Sequence, residues 1–197
     1  MKNAIVYLIQ NKPENLINLK NSLYFLMKNY LQYNPCDVIL FYDLSDGFTE
    51  IIMNNILMDI PLKFRSNFKF REIKFEVPER IDKDRLNIII KSQPVPWWRN
   101  IGYRNMCRHY GILIYEYMRD YDYYMRLDDD SLIEEKIKMN LFNFMRENQI
   151  DYLFNDENDD CHVCNEGLFE VSTQYCKDHN ITNKIKITNK NGNRYIK

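Results

Sequence analysis

The sequence lacks the features of a membrane-spanning or exported protein. No apolar run approaches the roughly 20 residues that a membrane helix needs. The apolar run near the N-terminus, from Ala4 to Ile9, is also too short to form the core of a signal peptide with its cleavage site. By this absence of a signal or an anchor, we expect no transmembrane segment and a soluble, cytoplasmic protein.

The low counts of cysteine, glycine and proline and the small net charge also exclude several classes of protein. Five cysteines are an odd number, which does not favour a closed disulfide framework. Five glycines and six prolines in 197 residues exclude a collagen-like or linker-rich chain. The net charge of −1 comes from 27 basic and 28 acidic residues, so no global basic field draws the protein to nucleic acid. Any anionic ligand must therefore be held by a local group of side chains.

What the chain does contain is a series of strand patterns alternating with helix patterns. Short apolar runs and period-two alternation predict strands at 4–10, 37–43, 68–77, 121–127 and 150–154. Helical spacing of apolar residues predicts helices after Pro13 and over 49–59, 99–118, 137–148 and 166–180. This alternation predicts an α/β fold with a mainly parallel sheet, in which 121–127 is the central strand.

The remaining stretches carry weaker patterns. The segment 78–96 holds three prolines and many charges, and we expect it to be a long functional loop. Residues 181–197 form a polar tail with weak periodicity. The length of the chain predicts one domain over 1–197.

Three aspartates, Asp128, Asp129 and Asp130, follow the predicted strand 121–127 directly. Ligands bind beyond the carboxyl ends of strands in open α/β sheets. Asp128 and Asp130 are two residues apart, so both can approach one hard cation such as Mn²⁺ or Mg²⁺ as the chain turns. The alternative is a plain acidic turn, or an N-cap cluster before Ser131, because short acidic motifs also arise by chance.

Three arginines lie close to these aspartates in the sequence. Arg104 and Arg108 are four residues apart on a predicted helix and share one face, where they can meet a diphosphate or form a solvated basic surface. Arg126 lies on the same side of its strand as Asp128. It can hold that carboxylate, reach a phosphate, or form a structural ion pair.

A second metal-compatible pattern lies near the C-terminus. Cys161 and Cys164, followed by Cys176 and His179, have the order and spacing of a structural Zn²⁺ site. The second pair falls in a predicted continuous helix without a glycine or proline turn. Reduced, partly buried thiols are the alternative.

Two longer motifs together are more specific than any of these pieces. Y-R-N-M-C-R-H-Y (103–110) followed by Y-D-Y-Y-M-R-L-D-D-D (121–130) resembles the fungal α-1,2-mannosyltransferases of glycosyltransferase family 15, the Kre2/Mnt1 type. That family has a Y-R-x-M-C-R-F-Y helix and a Y-x-W-Y-W-R-V-E-P-D strand at similar separation. The likeness extends over most of this chain, which corresponds to the family's N-terminal two-thirds.

The resemblance implies a GT-A-like, Rossmann-like nucleotide-sugar domain. It implies metal-dependent transfer of mannose from GDP-mannose to a glycan or glycoprotein acceptor, with retention at the anomeric carbon. Asp128 and Asp130 match the family's metal-binding Glu and Asp, and Asp129 replaces its proline. The positions that match the donor-site region are Tyr103, Arg104, Arg108 and Arg126.

The chain also departs from the family pattern. The family's C-H-F-W-S-N-F-E stretch with the candidate catalytic Glu, and the histidine that completes the metal shell, are not found before Lys197. We therefore assign no catalytic residue and expect a C-terminally truncated fold. Family relatives are Golgi membrane-anchored, and no such anchor is seen here. The alternative function is an inactive or split-gene nucleotide-sugar-binding fragment that acts with a complementary protein chain.

Overall fold

The computed structural model describes residues 1–92, 99–154, 168–181, 187–190 and 193–196. The chain forms two compact units. The first consists of Met1–Ser92 with Arg99–Asn140, and the second contains the described residues from Leu141 onward. All the candidate site residues around the three aspartates belong to the first unit.

The first unit is built on a four-stranded, fully parallel sheet. Its strands are β1 (Asn3–Ile9), β2 (Asp37–Asp43), β3 (Phe68–Ile73) and β4 (Tyr123–Arg126), in the order β3-β2-β1-β4. The predicted parallel α/β sheet is thus confirmed. The prediction that β4 is central was wrong for the described strands, because β1 lies between β2 and β4, and β4 ends the order.

Helices connect these strands in the alternating pattern that the sequence predicts. The bounds are α1 (Pro13–Leu26), α2 (Glu50–Met58), α3 (Leu62–Arg65), α4 (Lys83–Ser92), α5 (Ile101–Arg108) and α6 (Ile114–Tyr117). A π-helical turn, Met27–Leu31, extends α1, and a second, His109–Leu113, joins α5 to α6. A short 3₁₀ turn, Leu44–Asp46, follows β2.

Local signals in the sequence explain where several helices begin. Pro13 occupies the first turn of α1, where its missing N–H is not needed. Thr49 caps α2 by accepting a hydrogen bond from the Ile52 N–H, and Asn100 caps α5 by accepting one from the Tyr103 N–H. These caps fix where α2 and α5 begin.

The core lies on both faces of the sheet. Along β1, Ala4 and Val6 pack on one face with Phe41 of β2 and with Ile114 of α6. Tyr7, which points to the opposite face, meets Ser22 of α1. Because β1 is buried on both faces, its sequence is apolar at nearly every position rather than alternating.

One predicted loop is a helix. In the segment 78–96, the described residues contain α4, whose first turn is closed by the Asp82 carboxylate accepting from the N–H groups of Asp84 and Arg85. The loop prediction failed because Pro78, Pro94 and Pro96 flank this helix and do not interrupt it. Residues 93–96 lie outside the described residues.

The second unit has fewer described elements. They are α7 (Leu141–Glu147), α8 (Leu168–Asp178) and an antiparallel hairpin of β5 (Ile187–Lys190) and β6 (Asn193–Ile196). The predicted strand over 150–154 is only an isolated bridge at Tyr152. No strands were predicted in the polar tail that holds the hairpin. No helix in the described part of the chain is long and apolar enough to cross a bilayer.

Replacing Leu23 by alanine should destabilise the first unit, because this α1 side chain is only 1% exposed. We expect a loss of about 3 kcal/mol in the free energy of unfolding, measured by urea denaturation. Ile17 on the same helix is 61% exposed, and its alanine variant should change stability by less than about 0.5 kcal/mol. Equal losses in the two variants would contradict the assignment of the buried face of α1.

Candidate functional site

The three aspartates lie beyond the carboxyl end of β4, beside β1. From β1 the chain proceeds through α1 to β2 and then to β3 on one side, whereas β4 lies on the other side of β1. This is a topological switch point, where two chain connections diverge and leave a crevice at the carboxyl ends of the strands. The last ladder contact there is the Leu127 N–H donating to the carbonyl of Val6 at 3.0 Å.

The segment Asp128–Ser131 forms a closed turn. The Ser131 N–H donates to the Asp128 carbonyl at 2.9 Å, and the Asp128 N–H donates to the Ser131 hydroxyl at 3.2 Å. Asp129 and Asp130 are therefore the two central residues. We call this segment the carboxylate turn. It presents three carboxylates within one tight reversal of the chain, which matches the acidic turn considered from the sequence.

Arg126 holds the first of these carboxylates. Its Nε and Nη2 donate to Oδ1 of Asp128 at 3.0 and 2.9 Å, and Nη2 also reaches Oδ2 at 3.3 Å. The guanidinium carbon lies 3.9 Å from the centre of the Tyr110 ring, close enough for a cation–π contact. The pair remains accessible, with side-chain exposures of 40% for Arg126 and 53% for Asp128. The ion pair predicted as one option for Arg126 is therefore present.

The second carboxylate is turned toward α1. Oδ2 of Asp129 accepts a hydrogen bond from Nδ2 of Asn15 at 2.7 Å. Partial burial raises the pKa of the Asp129 carboxyl, and the neighbouring Asp130 and Asp128 charges act in the same direction, whereas the Asn15 hydrogen bond opposes them. Asp130, by contrast, is exposed.

The far end of the turn is anchored through buried hydroxyl groups. The Ser22 hydroxyl of α1 donates to the Ser131 carbonyl, and it lies 3.0 Å from the Tyr7 hydroxyl on β1. Both Tyr7 and Ser22 are almost completely buried. Burial raises the pKa of Tyr7 far above its usual value, so the phenol stays neutral. The turn is thus connected to the centre of the sheet.

The chain beyond the turn is fixed by two buried asparagines. Nδ2 of Asn29 donates to the carbonyls of Ile133 and Glu134 at 2.6 and 2.9 Å. Nδ2 of Asn34 donates to the Ile137 carbonyl at 2.9 Å. These amides satisfy carbonyls that have no strand partner along this irregular connection. The segment after the turn therefore follows α1 and its π-helical extension.

His109 forms part of the floor beneath Arg126. Its ring is fully buried and packs against Phe41, Tyr110 and Tyr117 at centroid distances of 5.1, 5.1 and 5.8 Å. Neither ring nitrogen has a hydrogen-bond partner among the described residues. Burial lowers the pKa of His109 to about 4, and the nearby Arg126 charge acts in the same direction. His109 therefore acts here as a packing residue.

The remaining donor-site candidates lie on α5. Tyr103 is exposed, with the Arg99 guanidinium 4.9 Å from its ring centre. Arg104 and Arg108 are half-buried on the same helix, and Nε of Arg104 has no hydrogen-bond partner within the described part of the chain. Among the described residues, no hydrogen bond or ion pair joins these three side chains to the carboxylate turn. Their part in binding stays a prediction.

Of the two predicted metal sites, the carboxylate turn lies entirely within the described residues, whereas the zinc pattern does so only in part. Across the described positions, no group of three or more His, Cys, Asp or Glu side chains converges as a preformed metal cage. Cys161 and Cys164 of the zinc hypothesis lie outside the described residues. Cys176 is half-buried, and the His179 ring stacks on Tyr175 at 4.0 Å. No observation supports a zinc site there.

Sequence reasoning overlooked the polar side chains that hold the carboxylate turn. Asn15, Ser22 and Asn29 are separated by seven residues, so they recur on one face of a helix. Among the apolar residues of α1 and its π-helical extension they form a polar stripe. That spacing is visible in the sequence, but the sequence does not show which partner the stripe meets more than 100 residues later.

Comparison with known proteins identifies the family. The family described as glycolipid 2-alpha-mannosyltransferase matches residues 1–197. The chain belongs to this family, glycosyltransferase family 15. The predicted resemblance is confirmed.

Individual relatives of this family-15 chain support the same fold. It is 27% identical over 107 residues to the alpha-1,2 mannosyltransferase KTR1 of Saccharomyces cerevisiae, a match covering 52% of this chain and 27% of that protein. The mannosyltransferase Ktr4p of S. cerevisiae, solved with GDP, superposes with a TM-score of 0.81 and 22% identity, covering 94% of this chain and 47% of Ktr4p. Core-mannan synthase A (CmsA/Ktr4) of Aspergillus fumigatus, in its Mn/GDP form, gives 0.79 and 18%, covering 96% and 50%.

These matches confirm a GT-A-like fold for the family-15 chain. The chain spans about half the length of the solved relatives and 27% of the curated one. The likeness therefore covers the part of those proteins that corresponds to the sheet and the carboxylate turn.

The buried His109 predicts a pH dependence of stability. The unfolded chain protonates this imidazole near pH 6.5, whereas the folded chain does so only near pH 4. Stability should therefore fall as the pH drops from 6.5 toward 4, by about 2 kcal/mol from this group between pH 7 and pH 5. Urea denaturation at the two pH values measures the loss.

A His109→Phe variant provides the control, because phenylalanine keeps an aromatic ring in this pocket and does not titrate. The variant should lose about 2 kcal/mol less than the parent between pH 7 and pH 5. An identical loss in both proteins would show that His109 is not the group responsible.

Proposed function

We propose that this chain binds GDP-mannose with the help of a divalent cation and transfers mannose, with retention, to a glycan or glycoprotein acceptor. Membership of a mannosyltransferase family supports the reaction class. The single observation that carries the proposal is the carboxylate turn at the switch point beside β1, with Asp128 and Asp130 exposed. The diphosphate of a nucleotide is negatively charged, as the carboxylates are, so it would bind beside them only with a cation between the two.

The side chains of the turn suit Mn²⁺ or Mg²⁺. Both ions prefer carboxylate and phosphate oxygens and keep some water, which an exposed turn allows. Asp128 and Asp130 would hold the ion, while Asp129 is engaged by Asn15. A bound cation would neutralise charge that develops on the departing diphosphate. The A. fumigatus relative was solved in an Mn/GDP form and the S. cerevisiae Ktr4p in complex with GDP, which supports this choice.

Arg126 would orient Asp128 and supply positive charge beside it. Its guanidinium is held from two directions, by the carboxylate of Asp128 and by the ring of Tyr110. Stacking on the Tyr110 ring would keep the Arg126 guanidinium in place even when one carboxylate oxygen of Asp128 turns to a metal ion. An arginine in this position can then donate to a phosphate oxygen of the donor.

The residues of α5 complete the proposal. Tyr103, Arg104 and Arg108 match donor-site positions of the family motif. Arg104 has an unpartnered Nε among the described residues, which leaves donor capacity for a ligand. No catalytic residue is part of this proposal.

Calorimetric titration of GDP-mannose, with and without Mn²⁺, tests the donor-binding part. We expect binding only with Mn²⁺, and a weakening of at least about tenfold in Asp128→Ala and in Asp130→Ala, because each removes one negatively charged oxygen ligand. Asp120→Ala, which removes an exposed aspartate outside the turn, should bind as the parent does.

An assay for released GDP separates two versions of the proposal. Metal-dependent binding with GDP release supports a working transferase. Binding without release supports a nucleotide-sugar-binding chain that needs a complementary partner. If the parent protein binds neither GDP-mannose nor GDP in the presence of Mn²⁺, the proposal is wrong.

A further inference from the structure

The contact between Asn15 and Asp129 joins two distant parts of the chain. Asn15 lies in the first turn of α1, and Asp129 lies at the second position of the carboxylate turn, 114 residues later. The Nδ2–Oδ2 distance is 2.7 Å, which is short for a hydrogen bond between an amide and a carboxylate.

The contact sorts the three aspartates into two groups. The carboxylate of Asp129 is half-buried and faces Asn15, while Asp128 and Asp130 on either side are exposed. Asp128 is held by Arg126, but its second oxygen is only weakly engaged, at 3.3 Å. Carboxylates on neighbouring residues repel one another, so a turn that bears three of them needs a tether to hold one shape.

The location of Asn15 suits a tether. It follows Pro13, whose ring fixes the backbone at the start of α1, so the side chain projects from a rigid element. The first turn of a helix carries partial positive charge, which favours a nearby carboxylate. Ser22, two turns further along the same face, fixes the Ser131 carbonyl. The two contacts hold the turn at its second and fourth residues.

We infer that Asn15 is a positioning residue of the donor site, which acts through Asp129 to hold the carboxylate turn in the shape that presents Asp128 and Asp130 to a divalent cation. This inference rests on the proposed function. In it, Asp129 is a tether and not a metal ligand. Its task is to accept a hydrogen bond, and its charge is secondary.

The test compares four variants of the full chain. Asn15→Ala removes the donor, Asp129→Ala removes the acceptor, and the double variant removes both. Asp129→Asn keeps a carbonyl oxygen that can accept from Asn15 but removes the charge. Asn18→Ala is the matched control, since Asn18 is an exposed asparagine on the same helix. Titration of GDP with Mn²⁺ gives the dissociation constant, and ¹H–¹⁵N spectra report the amides of Asp128 and Ser131.

We expect Asn15→Ala and Asp129→Ala each to weaken Mn²⁺-dependent GDP binding about tenfold. This is the loss that results if only about one molecule in ten holds the turn in its binding-competent shape. The double variant should be no weaker than either single one, because both remove the same contact. Asp129→Asn should stay within about threefold of the parent, and so should Asn18→Ala. The amide signals of Asp128 and Ser131 should shift in both alanine variants, and they should shift less in Asp129→Asn than in Asp129→Ala.

Two results would overturn the inference. Equal weakening in Asp129→Asn and Asp129→Ala would mean that the Asp129 charge binds the cation directly. Additive losses in the double variant would mean that Asn15 and Asp129 act separately.

Failure of the proposed function gives a different result. In that case the parent protein itself does not bind GDP with Mn²⁺. The spectra then decide on the tether alone. Unshifted amides of Asp128 and Ser131 in Asn15→Ala would reject the tether. Amides that shift in both alanine variants, and less in Asp129→Asn than in Asp129→Ala, would support a contact that holds the turn.

Discussion

The structure depends on the burial of β1 between two parallel neighbours. β1 pairs with β2 along six residues and with β4 along four, and its side chains fill the core on both faces. Removing this strand from water requires its backbone groups to be paired, and the two ladders pair the residues that they span. The same arrangement brings the end of β4 beside Val6 of β1 and places the carboxylate turn at the switch point of the sheet. The position of the site is therefore a consequence of the strand order.

Polar contacts determine the shape of the turn at that position. A chain segment with three adjacent carboxylates and no strand partner would have many conformations of similar energy. Here its second residue meets Asn15, its fourth residue meets Ser22, and the following carbonyls meet Asn29. All three side chains come from one helical face. The helix that covers the core on one side thus also supports the site on its edge.

Sequence patterns predicted the strands and helices better than they predicted strand order and side-chain partners. The strands β1 and β2 and the helix α1 follow from apolar runs, proline positions and periodicity, because burial and backbone sterics act locally. The place of β4 in the sheet and the helix within 78–96 did not follow, since strand order depends on long-range pairing and prolines can flank a helix as well as break one. For the candidate site, the aspartates and Arg126 were recognisable as candidates from residue type and spacing, and their roles in binding stay predictions. The supporting Asn15 was not, because an asparagine on a helix has many possible partners.

The π-helical turn at His109–Leu113 connects the core to the site. In it, two consecutive side chains have different tasks: His109 is buried against Phe41 and Tyr117, whereas Tyr110 lies beneath the guanidinium of Arg126. Such turns widen a helix locally and are frequent at functional sites. A neutral imidazole is the form compatible with this pocket, because a buried positive charge beside Arg126 would be unfavourable. The histidine therefore keeps the aromatic floor uncharged, and the positive charge at this edge of the sheet stays with Arg126, beside the carboxylates.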